Sequence, residues 1–99
     1  VFAVNVLPEG TEALARRFAG GPGAGQCRFE GLDLADAPLP VLPGATAFLA
    51  RVAESPRAGS HRVFIGAVGE VRIGEGRPLL WHRGGPARAV AGDAVGRVA

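Results

Sequence analysis

The longest β-like run of the chain, HRVFIGAVGEVRIG at residues 61–74, constrains the fold more than any other feature. Its side chains alternate between two faces, as the geometry of a strand requires. One face carries Val63, Ile65 and Ala67, and the other carries Phe64, Gly66 and Val68. The glycines Gly66 and Gly69 inside the run predict a bulge or a close approach of another backbone.

Two further strands are predicted around this run. ATAFLARVAES (45–55) could be helix or strand by propensity, but Gly44 and Ser55-Pro56 bracket it at strand length, so we predict a strand. PRAGS then predicts a hairpin turn, and LLWH (79–82) is the last predicted strand, after the turn EGRP. The residues after Gly84 show no strong period, so we expect a frayed or partly disordered tail.

The first residues, VFAVNVL (1–7), predict a short buried strand interrupted by Asn5. A buried amide needs hydrogen-bond partners, because leaving one unpaired costs about 1–3 kcal/mol. Two interpretations of Asn5 stay open. It bonds a neighbouring loop, which is the favoured interpretation, or it contacts a ligand.

The next stretch, PEGTEALARRFAGG, predicts an amphipathic helix over about residues 9–19. Pro8 suits a helix start and Gly20-Gly21 suit its end. Leu14 and Phe18 share one face, and the arginines Arg16 and Arg17 fall in the last turn, where the helix dipole favours cations.

A long connection follows the helix. GGPGAGQC (20–27) is a loop by composition, and it is not a phosphate-binding P-loop, since no Gly-Lys-Ser/Thr follows. Residues 28–44 predict an irregular surface crossing with a short turn of helix. The order is strand, helix, long loop and three antiparallel strands, which predicts a mainly β fold: a small β-barrel with one short crossing helix.

Composition excludes several functions. The 99 residues hold eleven arginines, no lysine and nine acidic residues, for a formal charge of +2, and no basic run marks a nucleic-acid surface. No apolar run approaches the roughly 20 residues of a membrane helix. The lone Cys27 forms no internal disulfide and favours a reducing cytoplasm. Val1 already lies inside an apolar run, so we expect a piece of a longer protein.

Hydrolytic and metal chemistry find little support. The chain has two histidines and two serines with no triad spacing, so we predict no catalytic triad. His61 and His82 lack neighbouring ligand types and make a poor metal site. Cys27 has no adjacent histidine, and we interpret it as an incidental loop cysteine.

The stretch PLLWHRGGPAR (78–88) is the best candidate site from the residues themselves. Trp81 can stack on a planar ring, and Arg83 can pair with a phosphate through its fork of donors. His82 can donate a hydrogen bond or change charge near neutral pH. The glycines Gly84 and Gly85 let a ligand approach the backbone. The alternative is that Trp81 is ordinary core and Arg83 a solvated strand end.

Three stretches, in order, resemble the flavin reductase-like family and cover most of residues 1–88. FAVNVL…EALARRFAG resembles its strand with Asn-Val-Leu followed by a helix ending Arg-Phe. GSHRVFIGAVGEVRIG resembles its Gly-Asp-His-x-x-Phe-x-Gly-x-Val strand. RPLLWHRGG resembles its Pro-Leu-Leu-Tyr-Tyr-Arg-Gly close.

The resemblance implies an FMN-binding split β-barrel that binds FMN or FAD, dimerises, takes hydride from NADH or NADPH and supplies reduced flavin to a partner oxygenase. Hydride transfer is the cofactors' own chemistry and requires no acid–base residue. The implied site residues are Arg17 and Phe18 at the flavin, Trp81, His82, Arg83 and Gly84 at the nicotinamide nucleotide, and His61 near the same cleft.

The chain departs from the family at several points. Ser60 stands where the family mostly has Asp, and Gly85 stands where an aromatic residue usually follows Arg-Gly. The family's first third, with its first barrel strands and a segment that holds the flavin phosphate, has no counterpart here. We therefore expect residues 1–88 to be a partial domain and 89–99 a tail. The alternative function is a non-catalytic flavin- or ligand-binding module, or a truncated remnant.

Overall fold

A three-stranded antiparallel sheet and two separate hairpins make up the fold. The computed structural model describes residues 1–20 and 28–92. The elements in chain order are β1 (Phe2–Val6), α1 (Glu12–Gly20), β2 (Thr46–Glu54), β3 (Arg57–Ala58), β4 (His61–Arg62), β5 (Ile65–Arg72), β6 (Leu79–His82) and β7 (Gly85–Arg88). The sheet has the order β1-β2-β5, and β3-β4 and β6-β7 are the hairpins. The described part is mainly β with one short helix, as predicted.

The two faces of the sheet differ in what covers them. On one face, Ala47 and Leu49 of β2 pack with Val41 of the preceding segment into a small core, next to Ala3 of β1. The opposite face carries the other side chains of the same registers. Ala50 on this face is buried and Thr46 is polar, but its other side chains are apolar and partly or largely exposed: Phe2, Val4, Val6, Phe48, Val52, Val68 and Val71.

Gly69 marks the predicted bulge, and Gly66 marks a close approach, by a side chain and not by the backbone that the sequence predicts. Leu49 pairs with Glu70 and Ala50 with Val68, so Gly69 is the extra residue of a bulge. A Cβ on Gly66 would lie 2.5 Å from the Phe2 ring, so the glycine lets the β1 side chain cross over β5. The run itself is shorter than predicted, because residues 63–64 separate β4 from β5.

The connection over residues 28–44 is irregular and largely exposed, as predicted, but it has no turn of helix and its residues 41–42 are buried. The described residues 28–44 contain turns and bends and no helix. Val41 and Leu42 are buried, and Ala37 and Leu39 are partly buried against the sheet. Leu39, Val41 and Leu42 lie among prolines with neither a helix nor a strand period. The sequence pattern therefore did not predict that this segment covers the core.

The helix α1 begins three residues later than predicted. Gly10 has a φ of +90°, which ends the Pro8-Glu9 stretch as a turn. The Thr11 carbonyl accepts from the Ala15 N–H at 3.0 Å, and its hydroxyl donates to the Pro8 carbonyl at 2.7 Å. Thr11 therefore precedes the first helical turn as its cap. Pro8 instead forms an isolated bridge with Pro78.

The expected frayed tail after Gly84 is wrong for residues 85–88. These residues form β7, which pairs with β6 from His82↔Gly85 to Leu79↔Arg88. β7 consists of Gly, Pro, Ala and Arg, and most of these residue types are uncommon in strands, so no propensity marked it. An edge strand tolerates Pro86, because its missing N–H can face away from the partner. The last predicted strand, β6, pairs with β7 and not within the sheet of β2 and β5.

Some predictions fall outside the described residues. Cys27 and nearly all of the loop 20–27 are among them, as is the end of the tail, residues 93–99. In the part of the chain that the structure describes, no helix combines the length and apolarity needed to cross a membrane.

Candidate cofactor site

The turn of the β6–β7 hairpin holds the most unusual backbone of the described chain. Arg83 and Gly84 are its two loop residues, with φ angles of +51° and +78°. Positive φ at both loop residues is the signature of a type I′ turn, which matches the twist of the flanking strands and favours Asn-Gly. Arginine in the left-handed region costs about 1–2 kcal/mol. Such strain clusters at functional positions.

This turn explains why the side chains stop after Arg83. Gly84 continues the left-handed backbone, which a side chain would strain, and Gly85 begins the returning strand. The hairpin therefore projects Arg83 at its tip, beside His82 on one side of the turn. Both side chains are exposed.

Trp81 lies one residue before His82 and keeps 50% of its surface exposed. The guanidinium carbon of Arg16, on α1, stands 5.6 Å from the centroid of its ring. This distance is within the range of a cation–π contact. Trp81 is thus neither ordinary core nor free in solvent, since one cationic side chain from the helix lies over it.

The end of α1 holds the two residues that the resemblance places at the flavin. Arg17 donates a hydrogen bond to the Glu30 carbonyl. Phe18 meets Phe29 edge to face, with ring centroids 5.3 Å apart and an angle of 65° between the planes. Both contacts join the helix end to the turn at residues 28–31.

The hairpin is attached to the β1–α1 junction at its base. The Leu79 N–H donates to the Leu7 carbonyl at 2.7 Å, and the Glu9 N–H donates to the Arg77 carbonyl at 2.8 Å. Arg88 and Glu9 form a solvent-exposed ion pair at 3.5 Å. Contacts of this kind contribute little to stability. The backbone bonds fix where the hairpin starts, and its tip extends from there.

Asn5 lies away from the helix end and the hairpin tip. Its Nδ2 donates to the Pro40 carbonyl at 3.1 Å, and its Oδ1 accepts from the Leu42 N–H at 2.9 Å. The amide therefore fixes the segment that covers the core, as the favoured interpretation of Asn5 requires. A contact between Asn5 and a ligand stays a prediction.

His61 is also separate from the other site residues. It lies in the β3–β4 hairpin, which extends from the end of the sheet where Glu54 pairs with Ile65. The β6–β7 hairpin starts near the opposite end, where Val6 pairs with Thr46. Thr46 and Glu54 are eight strand residues apart, about 25 Å. Within one chain, the described structure does not bring His61 to Trp81.

The chemistry of the assembled side chains fits a nucleotide cofactor. A half-exposed indole offers a flat surface for a planar ring, and exposed guanidinium groups offer paired donors for phosphate. No cluster of three or more metal-ligating side chains occurs among residues 1–20 and 28–92. These side chains are of the kinds that bind and orient a cofactor whose own chemistry does the reaction.

Sequence reasoning missed Arg16. The Arg16-Arg17 pair was visible in the last helical turn, but consecutive residues of a helix point about 100° apart. Arg17 faces the turn at residues 28–31, and Arg16 faces the hairpin. This difference between Arg16 and Arg17 becomes visible only when the structure shows that the hairpin lies beside α1.

Comparison with known proteins identifies the family. The family model described as "Flavin reductase like domain" matches residues 1–89. The chain therefore belongs to the flavin reductase-like family, and the resemblance seen in its three motifs is confirmed.

Among the relatives is the reductase component of 4-hydroxyphenylacetate 3-monooxygenase from Thermus thermophilus, 37% identical over 91 residues, which cover 90% of this chain and 55% of that protein. The reductase component of a 4-nitrophenol 4-monooxygenase/4-nitrocatechol 2-monooxygenase from Rhodococcus opacus is 36% identical over 90 residues, covering 84% and 44%. An NADH:riboflavin 5′-phosphate oxidoreductase from Streptomyces pristinaespiralis is 36% identical over 88 residues, covering 83% and 48%.

Solved structures show the same fold. The flavin reductase PheA2 in its native state superimposes with a TM-score of 0.73 at 28% identity, covering 90% of this chain and 57% of that one. A flavin reductase domain protein from Arthrobacter sp. FB24 gives 0.72 at 27% identity, covering 92% and 57%. The fold is thus that of the flavin reductase split barrels, and this chain spans about half the length of the curated relatives it matches.

Proposed function

We propose that the protein containing this chain is an NAD(P)H-dependent flavin reductase that passes hydride to FMN or FAD and supplies reduced flavin to a partner oxygenase. The observation that carries the proposal is the hairpin tip, where Arg83 keeps a strained left-handed backbone next to a half-exposed Trp81. A solvated strand end has no reason to keep an arginine where Asn or Gly is less strained.

Each residue of the site has a role in binding and orientation. Trp81 stacks on a planar ring of the nicotinamide nucleotide, Arg83 pairs with its phosphate, and His82 donates a hydrogen bond beside them. Arg17 and Phe18 hold the flavin at the helix end. When both are bound, the nicotinamide would provide the hydride and the flavin would take it up, so these residues would bind and orient the two rings without acting as acid or base.

The names of the relatives support this proposal. Two are reductase components of monooxygenases, and the third is an oxidoreductase named for NADH and riboflavin 5′-phosphate. They favour a flavin and a nicotinamide reductant, with an oxygenase as the consumer of reduced flavin.

We also propose a homodimer, in which His61 reaches the cofactor site of the second copy. Two observations support this. His61 lies at the opposite end of β2 from the base of the β6–β7 hairpin, and one face of the sheet carries exposed apolar side chains such as Val68 and Val71. The lone cysteine favours the cytoplasm as the compartment.

A flavin titration followed by a turnover assay tests the function. The natural protein that contains this chain is mixed with FMN or FAD, and NADH or NADPH is then added without oxygen. Loss of the flavin absorbance near about 450 nm at a catalytic rate supports the reductase. Flavin binding without any loss of absorbance supports a non-catalytic binding module, and the absence of both contradicts the proposal.

A further inference from the structure

The contact between Arg16 and Trp81 joins α1 to the middle of β6, away from the backbone bonds that attach the base of the hairpin. Trp81 lies on β6, within a two-stranded hairpin whose backbone bonds to the β1–α1 junction are made by Leu79 and Arg77. Arg16 lies on α1, on the far side of the Thr11 cap from that junction. The contact therefore holds the middle of the hairpin against the helix.

The indole ring lies on a two-stranded hairpin and is half exposed. No large side chain of the described residues is fully buried, so the hairpin has no deep core to pack into. Trp81 remains 50% exposed with Arg16 over its ring. A half-exposed aromatic side chain on a two-stranded hairpin changes rotamer readily, and a stacking surface for a ligand must be held in place before the ligand arrives.

Arg16 can do this because no carboxylate among residues 1–20 and 28–92 forms an ion pair with it. The ion pairs of the described residues join Arg72 to Glu70 and Arg88 to Glu9. Arg17, its neighbour, is bonded to the Glu30 carbonyl on another side of the helix. The planar guanidinium of Arg16 can stack on the indole, which an ammonium group cannot do.

We propose that Arg16 is a positioning residue for the nucleotide: its guanidinium covers one face of the Trp81 indole and fixes the ring, so that a planar ligand stacks on the other face. The inference rests on the proposed function, because the ligand meant is the nicotinamide nucleotide. Arg16 acts through Trp81 and does not itself contact the ligand.

The first test measures the contact without any turnover. Trp81 is the only tryptophan of this chain; in the natural protein, its emission is the difference between the parent and the Trp81→Phe variant. Arg16→Ala should increase acrylamide quenching of this emission by about half or more, because the ring loses its cover. Arg16→Lys should restore quenching only in part. Alanine is a good helix former, so α1 should persist, and circular dichroism verifies this.

The second test measures the consequence for the nucleotide. Arg16→Ala should raise the KM for NADH about two- to fivefold, the range of an exposed cation–π contact, with a smaller change in kcat. In the Trp81→Leu background the same substitution should have no further effect. Arg51→Ala, an exposed arginine on β2, is the matched control and should change neither quenching nor KM.

The outcomes separate this inference from the proposed function. Unchanged quenching in Arg16→Ala overturns the inference, even in an active enzyme. An equal rise of KM in the parent and in the Trp81→Leu background also overturns it, because Arg16 would then act on the ligand directly. Increased quenching in a protein that never oxidises NADH confirms the contact and contradicts the reductase function.

Discussion

The two hairpins of this chain have loops of the same length and opposite chemistry. The β3–β4 hairpin closes through Gly59-Ser60, with a positive φ at Gly59 only, where glycine is the natural residue. The β6–β7 hairpin closes through Arg83-Gly84, with a positive φ at both residues. The β3–β4 loop has glycine at its positive-φ position, as its turn prefers. The β6–β7 loop has arginine at a positive φ, where arginine is disfavoured. Turn strain therefore marks the tip of the β6–β7 hairpin as a candidate binding site, whereas the loop of the β3–β4 hairpin carries no such strain.

The largest expected effect comes from removing the arginine at the strained tip. Arg83→Ala should raise the KM for NADH or NADPH by roughly tenfold or more, since a charge-assisted bond to phosphate contributes about 1.5–3 kcal/mol. Flavin affinity should change much less. Steady-state kinetics and a flavin titration of the natural protein measure both.

Arg57→Ala in the other hairpin is the control for Arg83, because Arg57 is an exposed strand arginine. Its KM should stay within about twofold of the parent. Equal loss of flavin and nucleotide binding in Arg83→Ala would indicate unfolding. No change in either would make Arg83 a solvated turn residue.

The next effect concerns the stability of the unstrained hairpin. Gly59→Val places a β-branched residue at a φ of +62°, so the free energy of unfolding should fall by about 1–2 kcal/mol. Urea denaturation measures the change. Ser60→Val, at the neighbouring loop position, serves as its control and should cost less. An equal loss from both would remove the special role of the positive φ.

A smaller effect of opposite sign is expected at the strained tip. Arg83→Asn creates the Asn-Gly loop that a type I′ turn prefers, so the protein should gain about 0.5–1 kcal/mol of stability. The same variant should lose nucleotide affinity as Arg83→Ala does. Arg57→Asn, on an ordinary strand position, should give no gain. A less stable Arg83→Asn protein would mean that the arginine itself stabilises the turn.

The smallest effect is expected from His61. His61→Ala should raise the KM for the nucleotide only about two- to threefold, the loss of about one neutral hydrogen bond. The effect should require the dimer, so it should disappear on dilution to monomer, as sedimentation can verify. A change as large as that of Arg83→Ala would place His61 at the centre of the site. A monomer with a full effect would contradict the second-copy proposal.

Sequence patterns predicted the elements that carry regular hydrophobic spacing or clear end signals. The strands β1 and β2, the helix, the bulge at Gly69 and the close approach at Gly66 all followed from such patterns. The strand β7 did not, since its residues have little strand propensity and its pairing depends on the turn before it. The cover over residues 37–42 did not either, because the long-range bonds that hold this irregular segment, such as those of the Asn5 amide, leave no local pattern.

The candidate site divides in the same way. Trp81, His82, Arg83 and Gly84 are consecutive, so their grouping was visible without a structure. The contact of Arg16 with Trp81 joins residues 65 positions apart along the chain. It depends on how the base of the β6–β7 hairpin is bonded to the β1–α1 junction. No local pattern encodes such a distance. His61 lies at the far end of β2 from the hairpin base, and no pattern in the sequence predicted that separation.

The bare apolar face of the sheet also affects how the protein matures in the cell. A face of this kind, flanked by the outer edge of β5, is a target for chaperones and a starting point for aggregation until something covers it. Residues 1–99 expressed alone should accordingly collect in inclusion bodies. Folding and burial of this face must then occur together. The yield of folded, unaggregated protein is therefore set by how fast the face is covered after synthesis.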